Sequence, residues 1–405
     1  MNLLILTQYF HPEQFRINMI AQELLKRGHQ VSILTGQPNY PTGKMYSGYK
    51  AHQFKKDEWQ KITIYRVPII PRGNAKNVRL VLNYLAFMLS SSFFSFFLKK
   101  KKFDACFVFQ AGPIFQDFAG VVLKKFYRVP LYLLIQDLWP ESLHATGRLK
   151  VPVIEKMIRR FVGLVYRQAN QILVTSHAFI QPISHYPIKT KPIFLANICE
   201  DFYRPISDSE KKMVPNMPAG FKVMFTGNLG AAQALSTLID AANILKKHTD
   251  IKWVLVGAGS ELDNTKQLVK KYGLENRVIF LGCHPSESMP NIIADADVCL
   301  ATLNKDPIFS LTVPAKIQSY MACAKPIISA IDGEVARMIQ EAQCGISVDS
   351  ENAEALAQAV FALKNNSIDE RLQMGKNGRS YYEKHFQSDV VIDKLEHILL
   401  RARRK

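Results

Sequence analysis

Between Phe221 and Val348, short apolar runs each end at a loop of glycine or small polar residues. They read FKVMFTGNLG (Phe221 to Gly230), KWVLVGAGSE (Lys252 to Glu261), VIFLGCHPSESMP (Val278 to Pro290) and DVCLATL (Asp297 to Leu303). SLTVPAKIQSYMACAKPIISAIDGE follows, from Ser310 to Glu334. Near-continuous apolar strands separated by helical patterns are buried on both faces and pair in parallel, so this stretch predicts a doubly wound α/β sheet. Ligands of such sheets bind beyond the carboxyl ends of the strands, which makes the loops the residues to weigh.

The first half alternates in the same way. LLILTQ (Leu3 to Gln8) precedes a predicted helix from about Arg16 to Arg27 with Gly28 as its stop, and HQVSILTG (His29 to Gly36) follows. Later runs are ITIYRVP (Ile62 to Pro68), DACFVFQ (Asp104 to Gln110), LYLLIQD (Leu131 to Asp137) and QILVTS (Gln171 to Ser176). The pattern restarts at Phe221, after a linker from Ala196 to Gly220 in which prolines and charges replace periodic apolar residues. Two Rossmann-like domains are expected, over residues 1–198 and 199–385. A C-terminal helix over about 386–405, ending in RARRK, is expected to cross back to the first.

At 405 residues the chain exceeds one ordinary core, and 48% hydrophobic content excludes a disordered protein. Six cysteines without a CxxC pair point to a reducing compartment rather than a disulfide framework or zinc site. The N-terminus MNLLILTQYF lacks a basic leader region and reads as a first buried strand.

The net charge of +18 is uneven. Residues 1–200 hold 27 Lys+Arg against 10 Asp+Glu, giving +17, and residues 201–405 hold 25 against 24, giving +1. A polyanion touching one domain is implied, either nucleic acid or an anionic membrane. The run VRLVLNYLAFMLSSSFFSFFL, Val78 to Leu98, decides between them. Its charges (Arg72, Lys76 and Arg79 before, Lys99 to Lys102 after) sit at its ends instead of interleaving with aromatics, which favours a membrane-surface helix over a nucleic-acid groove. A buried crossover helix and a membrane span are the alternatives, and Asn83 with Ser90 to Ser92 weakens the span.

In the second domain, Gly227, Asn228 and the following Gln233 lie where backbone N–H groups can approach a phosphate, and Gly257 opens a similar loop. Each also fits an ordinary tight turn. Thr312, Val313, Pro314 and Lys316 gather at a predicted helix start, with Pro314 expected at the first helical position and Thr312 near the cap. Lys316 there opposes the helix dipole, a conflict that a bound diphosphate would remove. Glu334 could take a sugar hydroxyl or simply favour its helix start. In the first domain, Asp137, with Glu141 behind it, could take a proton from an acceptor hydroxyl or cap its loop. Tyr9, Phe10, Glu13, Arg16, Asn39 and Tyr40 could line an acceptor pocket or be packing. No motif calls for a metal or cofactor. These residues make a nucleotide-sugar transferase the leading reading.

With these motifs in view (YFHPE, GHQVSILTGQPNYPTG, QDLWPES, ANICEDFYRP, FTGNLG, VLVGAGSE, FLGCHPSESMP and VPAKIQSYMACAKPII), the chain resembles a bacterial family 4 glycosyltransferase of the GT-B fold, nearly end to end. It is most similar to the surface-polysaccharide branch that includes N-acetyl-L-fucosamine transferases of O-antigen synthesis. The resemblance implies two doubly wound domains facing a cleft, and metal-free, retaining transfer from a UDP-sugar to a polyprenyl-diphosphate-linked acceptor. It implies a cytoplasmic protein, peripheral at the inner membrane face. The base would lie near Gly282 and Cys283. Where the family carries a basic pair, Asn228 and Gln233 stand, and where it carries two glutamates, Leu311 and Ser319 stand. A UDP-sugar epimerase and a non-catalytic partner of a polysaccharide complex are the competing readings. A dehydrogenase is disfavoured because the first strand runs into TQYFHPEQ instead of GxGxxG.

Overall fold

The apolar runs of the first half pair into one eight-stranded sheet: β1 (Asn2–Leu6), β2 (Gln30–Gly36), β3 (Lys55–Trp59), β4 (Ile62–Val67), β5 (Ala105–Gln110), β6 (Leu131–Ile135), β7 (Gln171–Val174) and β8 (Ile193–Phe194). Their spatial order is β3-β4-β2-β1-β5-β6-β7-β8, parallel except for the antiparallel β3. The computed structural model describes residues 1–73, 77–110, 112–145 and 151–401. Contacts divide the chain into one unit of Met1–Ile198 with the chain from Val391, and a second unit of Cys199–Val390.

Central strands β1, β5 and β6 are buried almost throughout, as residues covered by helices on both sheet faces must be. Strand β3 has no counterpart in the sequence reading. Its KKDEW alternates between half-buried and exposed, as suits an edge strand, and Gln60 and Lys61 reverse the chain into β4 with φ of 49° and 66°. Helix α1 (Arg16–Lys26) stops where glycine was expected to stop it, with Gly28 at φ 84° and Ile17, Ile20, Ala21 and Leu24 turned inward.

Helix α2 (Asn77–Ser95) runs from β4 to β5 and buries polar residues beside the apolar Leu80 and Phe87. Asn83 is fully buried, donating from Nδ2 to the Ile70 carbonyl at 2.6 Å and accepting from Gln8 Nε2 at 2.7 Å. Ser90 donates to the Pro68 carbonyl at 2.7 Å, and Ser91 and Ser95 are buried. The opposite face bares Val78, Val81, Leu82, Leu89 and Phe93, followed by Phe96 and Phe97. By length and composition Val78–Leu98 could cross a membrane, the one such helix among the described residues, yet its polar side is tied to the sheet. Lys76 lies outside the described residues.

Next come α3 (Phe118–Tyr127), α4 (Glu141–Ala145) and α5 (Pro152–Gln168), which link β5 to β6 and β6 to β7. The C-terminal helix Ser388–Arg401 packs into this unit from Val391 onward. Its Glu396 meets His29 Nε2 at 2.8 Å, and Arg27 pairs with Asp393. Residues 402–405 of the basic tail lie outside the described residues.

The second unit is a six-stranded, fully parallel sheet of order β11-β10-β9-β12-β13-β14. Its strands are β9 (Phe221–Thr226), β10 (Ile251–Val256), β11 (Val278–Gly282), β12 (Val298–Thr302), β13 (Ile327–Ala330) and β14 (Gly345–Val348). Chain order reverses at β9, so a switch point opens beside the carboxyl ends of β9 and β12.

The loops that follow β9, β10 and β11 are joined backbone to backbone. Gly227 N donates to the Val256 carbonyl at 2.9 Å, Leu229 N to Ala258 at 2.9 Å, and Gly257 N to Gly282 at 2.8 Å. Gly257 has φ 137°, and a Cβ there would lie 1.9 Å from the Gly227 carbonyl oxygen. Gly257→Ala should therefore cost the second unit about 2 kcal/mol or more in chemical denaturation. A loss within about 0.5 kcal/mol would mean that the loops part freely.

Candidate active site

Of the joined loops, the one that follows β9 lies against a single lysine. Lys316 is the second residue of the helix Ala315–Ala322, with Pro314 preceding it as the N-cap residue. The sequence reading set Pro314 one position later, inside the helix; its ψ of 140° is extended and keeps it outside. Thr312 also differs from expectation. Its hydroxyl donates back to the Ile308 carbonyl at 2.8 Å, closing the preceding helix Pro307–Leu311, so the N–H groups that open Ala315–Ala322 have no side-chain cap. Val313 is half-buried between the two helices.

Lys316 Nζ lies 3.5 Å from the centroid of the Phe225 ring and donates to Gln233 Oε1 at 2.7 Å. A side chain at Gly227 would come within 3.8 Å of Lys316 Cε. No carboxylate meets the ammonium among the described residues, and desolvation brings its pKa down to about 7.

Gln233 is fixed in turn. Its carbonyl accepts from Thr302 Oγ1, and Asn304 braces the same turn through Oδ1 to Ala234 N at 2.9 Å and Nδ2 to Ala231 O at 2.9 Å. Tyr320 anchors the end of β9, its hydroxyl accepting from Thr226 N at 2.9 Å. Sequence reasoning missed Phe225, Thr302, Asn304 and Tyr320. Asn304 follows an apolar strand directly, and the rule used for the other loops would have reached it.

Gly227, Asn228 and Cys283 are exposed at the mouths of these loops, and Asn228 folds over Gly230, where an added Cβ would meet its Nδ2 at 2.5 Å. Ser319 is buried and approaches Cys199 Sγ at 3.7 Å, while Leu311 ends its short helix half-buried. Glu334 opens the helix Glu334–Ala342 but is held by Arg337, with Nη2 to Oε1 at 2.8 Å and Nε to Oε2 at 3.3 Å. Of the two readings of Glu334, a ligand of a sugar hydroxyl or a charge that favours its helix start, the second matches its place in the first turn, where it pairs with Arg337.

In the first unit, Asp137 stands exposed just beyond β6. Its carbonyl accepts from Gln110 Nε2 at 3.3 Å, and its carboxylate has no partner among the described residues. The surrounding protein raises its pKa by desolvation. Glu141 differs from Asp137: it accepts from Arg159 Nη1 at 2.7 Å, while Arg159 Nε reaches Glu155 at 2.8 Å. An acid held in that ion pair is a poor base.

Of the six residues expected to line an acceptor pocket, Tyr9, Phe10, Glu13 and Asn39 are buried. Arg16 opens α1 half-buried, and Tyr40 is exposed. Glu13 gathers the loop: Oε1 accepts from Asn39 N at 2.8 Å and Tyr40 N at 2.7 Å, and Oε2 from Phe10 N at 3.3 Å. Its role here is structural, because both oxygens are spent on backbone. The described residues contain no group of three or more His, Cys, Asp or Glu placed to hold a metal.

Comparison with known proteins follows the division into units. Residues 14–193 match the sequence model of the glycosyl transferase 4-like domain, and residues 209–381 that of glycosyl transferases group 1. WbjE of Pseudomonas aeruginosa, named for glycosyl transfer, is 26% identical over 65% of this chain and 66% of its own. WcaI of Escherichia coli K12, named for colanic acid biosynthesis, is 22% identical over 97% of this chain and 98% of its own. HepE of Anabaena, crystallised with UDP, superposes with a TM-score of 0.71 at 16% identity over 99% of this chain and 100% of its own. The two doubly wound sheets have the GT-B fold. With both of its units matched, the chain belongs to the family 4 glycosyltransferases, its first unit 4-like and its second of group 1.

Burial pushes the Glu13 carboxyl up to about 7, whereas in the unfolded chain it ionises near 4.5. Between those values the folded chain keeps a proton that the unfolded chain has released. The stabilisation is therefore full below the window and lost as pH rises through 7. Glu13→Gln should flatten this limb of the stability curve, its difference from wild type changing by up to about 3 kcal/mol across the window. A constant difference would mean that Glu13 titrates alike in both states.

Proposed function

We propose that the protein transfers a sugar, with retention, from a UDP-sugar to a polyprenyl-diphosphate-linked acceptor in surface-polysaccharide assembly. The observation that carries this reading is Lys316, which meets no carboxylate among the described residues and stands at a helix start without a side-chain cap. A diphosphate would pair with the ammonium and accept the free N–H groups, relieving both deficits. Support for the nucleotide comes from HepE, crystallised with UDP. The names of WbjE and WcaI support glycosyl transfer and polysaccharide assembly. N-acetyl-L-fucosamine is the donor sugar we infer from the resemblance.

Lys316 and the N–H groups of its helix would stabilise charge building on the departing diphosphate, without a metal. Asp137, exposed and unpaired among the described residues, would orient the acceptor hydroxyl, whose proton passes to the leaving diphosphate. Attack from the face that the diphosphate leaves accounts for retention. The bare apolar face of α2, with the basic charge of its unit, suits a protein resting on an anionic inner membrane surface.

The direct test is transfer of labelled sugar from a panel of UDP-linked donors, UDP-N-acetyl-L-fucosamine included, into lipid extracts carrying diphosphate-linked acceptors. Label in the lipid fraction is expected. Consumption of no donor would favour the non-catalytic reading suggested by Leu311 and Ser319. Lys316→Met should lower turnover by a factor of about 100 or more with an unchanged melting temperature, and full activity would refute its role. UDP affinity should fall by up to about tenfold per pH unit above 7 as the free ammonium deprotonates, and Lys316→Met should abolish that slope. Asp137→Asn should reduce turnover while leaving UDP affinity intact; near-normal turnover would remove Asp137 from the mechanism.

A further inference from the structure

The loops beyond β1, β2 and β4 form a second backbone-joined ledge, and it carries two guanidinium groups. Gly73 N donates to the Gly43 carbonyl at 3.0 Å. Both glycines have positive φ, 75° at Gly43 and 54° at Gly73, and a Cβ on Gly43 would fall 1.8 Å from the Gly73 carbonyl oxygen. Arg72 is held on every side. Its N–H donates to Asn39 Oδ1 at 3.0 Å, its Nη1 to the Tyr9 hydroxyl at 2.9 Å, and its guanidinium lies 5.0 Å from the Tyr40 ring centroid and 5.7 Å from that of Tyr9. Tyr9 is itself stacked on Phe15 at 5.1 Å. Arg79 lies over Gly73, where a Cβ would meet Nε at 2.9 Å, and that Nε donates to the Pro71 carbonyl at 3.0 Å.

Neither arginine meets a carboxylate among the described residues. The acid of this ledge, Glu13, spends both oxygens on backbone N–H groups, and α2 has no acid in its first turn. Two arginines bordering the turn at residues 71–73, Arg72 held as a fork and Arg79 lying over Gly73, neither with a counter-charge among the described residues, suit a phosphate or diphosphate at the carboxyl end of the sheet. The exposed Val78, Val81 and Leu82 follow at once on α2, so an anion held here has a bare apolar face beside it.

We propose that Arg72 and Arg79 form the subsite for the diphosphate of a lipid-linked acceptor, its hydrocarbon lying along α2. The assignment rests on the acceptor class proposed above. Tyr9 and Tyr40 act as positioning residues that hold the Arg72 fork.

The test uses the full chain with saturating UDP, so that the Lys316 pocket is filled, and inorganic pyrophosphate as probe in calorimetry. Wild type should bind pyrophosphate, and Arg72→Gln and Arg79→Gln should each weaken it by about tenfold or more, with UDP affinity and melting temperature unchanged. Arg72→Lys keeps the charge without the fork and should recover only part of the loss. In flotation, phosphatidylcholine vesicles doped with a polyprenyl diphosphate should capture more protein than vesicles of equal charge made with phosphatidylglycerol, and the double variant should lose that preference. Equal capture by both vesicles would reassign the pair to ordinary lipid head groups and overturn the diphosphate subsite. Pyrophosphate binding alike in wild type and double variant would overturn the site altogether. Failure of the nucleotide reading shows separately, as UDP that does not bind; the pyrophosphate comparison is then read in Lys316→Met.

Discussion

Both units depend on backbones meeting where a side chain has no room. Gly227 and Gly257 touch in the second unit, Gly43 and Gly73 in the first, each contact closer than any Cβ permits. A parallel sheet delivers its loops to one edge but does not by itself fix them relative to each other. Hydrogen bonds between main chains do that, and at Gly257 and Gly43 the backbones lie too close for any Cβ. The ledges that result hold Lys316 in one unit and Arg72 in the other. Without them the Gln233 loop that meets Lys316 and the loop that carries Arg72 would be loose, and ordering them would oppose ligand binding.

The two cations illustrate one economy of charge. Several arginines have an acid: Arg159 has Glu141 and Glu155, Arg337 has Glu334 and Glu341, and Arg66 has Asp57. Lys316 and Arg72 have rings and neutral hydrogen-bond acceptors in its place. A π face offsets only part of the water a cation loses, as the lowered pKa of Lys316 shows, and the remaining deficit is open to an anion from outside. The same comparison demotes Glu141 and Glu334, whose carboxylates are already matched.

Helix α2 shows how inward-facing polar residues are stabilised. Its polar residues face the protein because the chain between β4 and α2 presents carbonyls there: those of Ile70 and Pro68 take up Asn83 and Ser90. Phe87 is buried with them, whereas Phe93 is left outside, and just past the helix Phe96 meets Phe126 of α3 edge to face at 5.2 Å. Water is a poor solvent for such a face, which is why a lipid surface was proposed for it.

The sequence alone determined what depends on near neighbours: the alternation of apolar strand and helix, the stop of α1 at Gly28, and the position of Lys316 at the start of its helix. These follow from sterics and periodicity within a few residues, and sequence spacing records them. Tertiary structure decided which charges remain free. Glu141 finds Arg159 eighteen positions away, Asn83 finds Gln8 across seventy-five, and Arg72 reaches Tyr9 across sixty-three. Edge strand β3 was likewise illegible, since its charged alternation becomes a strand only when β4 offers a ladder. A candidate site is made of charges left over after folding, and that remainder exists only once distant elements have paired.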